Sequence, residues 1–136
     1  MFEKTIEALG IDDDFIQSSL TIEGLHCGNL SALLVLRRAL IFRAIGYFAA
    51  IEALFPMRCV SLMRAWKRLG LPMEAISYHQ EHVKIDVHHA HGFFNNVIRP
   101  LVEMKPELSR DISWGVFARL NSSNRHPDEL LESFGK

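Results

Sequence analysis

Apolar residues along this chain recur at three- and four-residue intervals, while sustained two-residue alternation and Asn-Gly or Asp-Gly hairpin signals are absent. The pattern predicts helices. Asn29 is placed as the N-cap of a long one that runs from about 29 to 55 through "SALLVLRRALIFRAIGYFAAIEALF". Pro56 is expected to interrupt it, and a second helix follows at 57–70, with Gly70 suited to a left-handed C-terminal cap. Pro72 is tolerated in a first turn and opens a third helix, 72–98, which Pro100 stops. Pro106 opens a fourth at about 106–120, "NSSNRHPDEL" reads as a loop, and a short helix covers 127–134. One or two short helices occupy residues 1–27. With no linker, repeat or low-complexity tract, this is a single all-α domain, 1–136, with a bundle-like core.

The third helix carries "SYHQEHVKIDVHHAHGFF", with five of the chain's seven histidines. At about 100° per residue, His82, Asp86, His89 and Phe93 fall on one stripe, while His88 and His91 join Glu81, Lys84 and Asn95 on the opposite face. His79 stands at the edge of the stripe. A core-facing helix should carry leucine or valine where this one carries His82, Asp86 and His89. A buried, unpartnered carboxylate costs on the order of several kcal/mol or takes up a proton. Two resolutions are open. One is a His–Asp–His hydrogen-bond network; the other is a divalent cation that neutralises the carboxylate and uses the imidazoles as ligands.

The long helix adds to this picture. Ile41, Ile45, Phe48, Glu52 and Phe55 share a face, so Glu52 sits within an apolar stripe. It either reaches an arginine such as Arg58 or Arg64 or serves as a second inward carboxylate. Bundle metal sites are built from such carboxylates and histidines on facing helices. Imidazole and carboxylate without cysteine suit iron, with manganese or zinc as alternatives.

Composition narrows the classes. Of 136 residues 49% are hydrophobic and 23% charged, which fits a folded globular chain. Fifteen basic residues against sixteen acidic ones give no electrostatic case for nucleic acid. Cys27 and Cys59 form no CxxC motif and are expected to be reduced thiols in a cytoplasmic protein. The opening "MFEKTIEALGIDDDF" has no apolar signal core. The most apolar stretch is long enough to span a bilayer, but Arg37, Arg38, Arg43 and Glu52 within it favour a packed helix over a membrane span.

The tract "HVKIDVHHAHGFF" resembles the third core helix of the haem-oxygenase-like di-iron oxidases and oxygenases, the iron-containing redox enzyme family. Its His-x3-Asp-x2-His hallmark is matched by His82, Asp86 and His89. "AIGYFAAIEALFP" followed by "RLGLP" is similar to the family's preceding segment, with Glu52 thirty positions before His82. The resemblance implies a helical bundle with Glu52, His82, Asp86 and His89 as ligands of one or two Fe2+ ions, O2 activation, and a small organic substrate. It also implies an earlier core helix bearing a glutamate and a histidine. Only Glu23 and His26, in "IEGLHCGN", offer such a pair here, as additional ligands or as supporting residues alongside His79. The bundle is therefore expected to be truncated at its N-terminus and completed in a homodimer. The alternative is a non-catalytic helical subunit that pairs with itself or with a complete family member.

Overall fold

The computed structural model describes residues 2–134 and contains no strand among them. Seven α-helices follow one another: α1 (Phe2–Ala8), α2 (Asp13–Ser18), α3 (Ile22–Leu36), α4 (Ile41–Arg68), α5 (Ser77–Gly92), α6 (Arg99–Met104) and α7 (Ser109–Phe134). Short 3-10 turns precede α4, α5 and α7, and a π-helical segment, Phe93–Ile98, joins α5 to α6. The all-α expectation holds.

Several boundaries differ from those expected, each for a physical reason. The helix placed at 29–55 is divided at Arg37, whose backbone is extended, and its first part starts at Ile22. Thr21, not Asn29, is the N-cap, accepting from the Gly24 N–H. The Glu129 carboxylate accepts from the N–H groups of Ile22 and Glu23 at 3.2 and 2.9 Å. That second cap comes from more than a hundred positions away, so local pattern could not reveal it. Pro56 does not end α4, which continues to Arg68 with Pro56 buried inside it. Pro127 likewise lies within α7, and "NSSNRHPDEL" is helical. Buried Ser122 and Ser123, the His126–Thr21 contact of 3.1 Å and the Glu129 cap hold that segment in helical form. Tertiary contacts here outweigh the ~3 kcal/mol penalty of an internal proline. The close of α4 is as expected. Gly70 has φ +66°, the Leu71 N–H reaches the Trp66 carbonyl, and the Gly70 N–H reaches that of Lys67.

Contacts divide the chain into two compact units, one of Met1–Ser19 with Glu52–Ala90, the other of Leu20–Ile51 with His91–Lys136. In the first, α1 packs on the 3-10 turn Met73–Ile76, where the buried Thr5 hydroxyl donates to the Ala75 carbonyl at 2.8 Å. Cys59, Ala75 and Ile76 are the apolar centre of this unit. In the second, α3 packs on α7, and Leu34, Ala44 and Tyr47 form a core closed by Leu30, Leu40, Phe48, Ile51 and Ala118. The first turns of α4 cross α7 backbone to backbone. A Cβ on Gly46 would stand 1.9 Å from the Ile112 carbonyl oxygen, and one on Gly115 would stand 2.0 Å from that of Arg43. Only glycine permits that approach. One stretch, Arg38–Arg68, is long and apolar enough to cross a membrane by length and composition; it also carries Glu52 among its residues.

Candidate metal centre

α4 and α5 each bring one face of the first unit to a common point. From α4 comes Glu52, half-buried; from α5 come Asp86 and, three residues on, His89. One ligand atom from each of the three lies within 4.8 Å of the other two. Nδ1 of His89 donates to Glu52 Oε2 at 3.1 Å and stands 3.9 Å from Asp86 Oδ1. Asp86 is only 4% exposed, whereas the His89 side chain is 55% exposed. The group thus has a buried end and an open end.

The chemistry of this set fits a divalent cation. Two carboxylates converge on one imidazole, so even a protonated His89 would leave excess negative charge beside a buried oxygen. A metal at this point would replace the bridging proton and balance both carboxylates. Carboxylate and imidazole donors without thiolate suit iron, manganese or zinc.

The other sequence-predicted residues are placed as follows. His82 stands one turn before Asp86, outside the three-residue group, with its ring 5.3 Å from Phe55 and 4.1 Å from Tyr78. Its Nδ1 donates to the Tyr78 carbonyl at 2.8 Å, which leaves Nε2 as the free donor atom and fixes the ring in the manner common to metal-binding histidines. His79 is 7% exposed, packed against Trp66 and Tyr78, and its Nδ1 has no hydrogen-bond partner. Burial first, and the neighbouring His82 second, push the His79 pKa below its usual value. Glu23 and His26 lie in the second unit on α3, outside the three-residue group. Glu23 pairs with Arg125, and His26 Nδ1 is 3.4 Å from Glu23. His88 and His91 are exposed, as the helical wheel requires.

Two residues that the sequence reading did not single out belong to this environment. Burial, and then the charge of Asp86, raise the pKa of the Cys59 thiol. Tyr78 is raised by burial, then by Cys59 and Asp86. Both therefore stay protonated beside the carboxylate. Cys59 lies seven positions after Glu52 on α4, two helical turns along the same face, a spacing that was available as a signal.

A family model described as iron-containing redox enzyme matches residues 1–124. The chain belongs to that family. No curated protein and no solved structure matches it. Membership agrees with the helical architecture and with a carboxylate–imidazole group of the type iron requires. The matched range includes Glu52, Asp86 and His89.

Proposed function

We propose that this chain is a non-haem iron protein that activates O2 to oxidise a small organic substrate, with Glu52, Asp86 and His89 as the metal-binding core. The observation that carries the reading is the convergence of two carboxylates and an imidazole beside a buried Asp86 oxygen. His82, with Nε2 left free by its bond to Tyr78, is the fourth proposed ligand. Bound iron would supply the O2 chemistry. The chain's own residues do the rest. Asp86 and Glu52 would supply the negative charge that balances the cation, His89 would offer a ring nitrogen, and Phe55 and Tyr78 flank the His82 ring. Cys59 and Tyr78, kept protonated, add no competing charge.

We further propose that the chain works as a homodimer in the cytoplasm, with α4 packed against protein. Met57, Leu62, Ile85 and Val87 leave large apolar side chains exposed on the first unit, a surface that fits a second copy. Two measurements test these readings. Elemental analysis of protein purified without chelator should find iron near or above one equivalent per chain, and reduced protein should consume O2. Less than a tenth of an equivalent of any transition metal after iron loading would overturn the assignment. Light scattering on a size-exclusion column should give twice the chain mass, and a monomer at micromolar concentration would exclude the dimer.

A further inference from the structure

A second polar group lies in the other unit, and the proposed metal chemistry does not use it. It centres on Cys27, a half-buried residue of α3. Arg119 of α7 donates from Nη1 to Cys27 Sγ at 3.1 Å, and the Tyr47 hydroxyl lies 3.6 Å from the same sulfur. The Arg119 guanidinium also sits over the Tyr47 ring and 3.5 Å from its hydroxyl. Among the described residues no carboxylate is found within ion-pair distance of Arg119, whereas Arg43 and Arg125 pair with Asp111 and Glu23. The group within reach that can carry its counter-charge is the sulfur.

Two further observations point outward from this pair. Ser122 is 3% exposed, and its Oγ makes no hydrogen bond of good geometry, yet it stands close enough to favour a charged Cys27 sulfur. Ser122 also lines an open cavity of about 490 Å3, together with His26, Leu30, Trp114 and Phe117. The cavity thus borders Ser122, the residue whose buried hydroxyl neighbours the thiol, and it has room for a small polar molecule. Burial alone would raise the Cys27 pKa, but the nearby Ser122 and Tyr47 hydroxyls and the charge and hydrogen bond of Arg119 outweigh it and lower it. Cys59 is the opposite case: fully buried, with its pKa raised.

We propose that Cys27 is a half-exposed nucleophilic thiol site, held by Arg119 beside this cavity, that reacts with hydroperoxides and other small uncharged electrophiles. With hydrogen peroxide the Cys27 sulfur attacks one peroxide oxygen. The S–O bond forms as the O–O bond breaks, and the sulfur is oxidised by two electrons to sulfenic acid. The second oxygen leaves as hydroxide and takes a proton from water or buffer. Arg119 is a positioning residue in this step, because it stabilises the sulfur anion without touching the peroxide. A lower thiol pKa weakens intrinsic nucleophilicity less than it raises the thiolate fraction at neutral pH, so the net effect is faster reaction.

The test uses the full chain and iodoacetamide at pH 7, with peptide mass spectrometry resolving the two cysteines. Cys27 should be alkylated several-fold faster in the folded chain than in the same chain unfolded in urea, whereas Cys59 should be slower when folded. A thiol that is merely accessible cannot react faster folded than unfolded, so this comparison needs no variant. Arg119→Gln should remove most of the Cys27 advantage, and Arg119→Lys should restore part of it. Peroxide followed by dimedone should label Cys27 and leave Cys59 unlabelled. Cys27 reacting no faster folded than unfolded, or a folded Arg119→Gln chain reacting like the parent, would overturn the proposal.

Discussion

Nδ1 of His89 reaches 3.1 Å from Oε2 of Glu52, a carboxylate thirty-seven positions earlier and on a different helix. That contact ties α5 to α4, and Asp86 Oδ1 lies 3.9 Å from the same nitrogen. Charge and shape can be separated at this point. Asp86→Asn keeps the volume and removes one negative charge, so iron content should fall at least tenfold. The metal-free variant should unfold at the same urea concentration as the metal-free parent or a higher one, since a buried like-charge neighbour of Glu52 is gone. Plasma emission analysis and urea titration read the two effects. An iron content equal to the parent's would count against Asp86 as a ligand.

The five histidines of α5 should divide by function as they divide by face. His89→Ala should lose iron by tenfold or more, because it deletes the imidazole at the convergence point. His88→Ala should retain it, as His88 is exposed and its Nδ1 bonds only the Lys84 carbonyl of its own helix. Parallel metal loading of the two variants followed by desalting gives the comparison, and equal loss in both would point to general loss of fold.

Stability of the metal-free chain should depend on pH through His79. Burial holds its folded pKa below the ordinary value of 6.5, with His82 adding to the effect. Between the folded and unfolded values the unfolded chain binds more protons. Stability therefore rises with pH across that window, levels off above about 6.5, and falls as the solution is made more acid. Thermal unfolding in chelator should show this slope, and His79→Leu should flatten it. A His79→Leu chain with an unchanged slope would assign the effect to another group.

Gly46→Ala and Gly115→Ala should each destabilise the chain by about 1–3 kcal/mol, the range for forcing an added methyl into a packed contact. Each added Cβ meets a main-chain carbonyl oxygen rather than a flexible side-chain end, so the helices themselves must part. Gly28→Ala is the control. Nothing lies within 4 Å of a Cβ there, and a helical alanine should leave stability equal or improve it. Urea midpoints of the three variants decide it.

The candidate ligands Glu52 and Asp86 stood out in the sequence because they break a local rule. Asp86 and Glu52 interrupt apolar stripes, and the helical period shows that without reference to the fold. The wheel also separated His88 and His91 correctly. It did not show that the open edge of α5 runs through His89 while His79 and Asp86 face inward, because the direction of the core is set by packing against α4, which periodicity does not reveal. Pro56 is read from sequence as an interruption and Pro127 as the start of a short helix, since a missing N–H is a strong local signal. Both lie inside helices that packing holds together. The Glu129 cap and the Gly46–Gly115 approach depend on residues far apart in sequence, where periodicity carries no information.

Pro56 has a consequence for the end of α4 that carries Glu52. In an unbroken helix the N–H of residue 56 would bond the carbonyl of the residue four before it, and that residue is Glu52. The proposed ligand thus occupies a rung of α4 that the helix leaves untied. One carbonyl of α4 is left without its usual intrahelical donor at the very residue whose side chain enters the carboxylate–imidazole group.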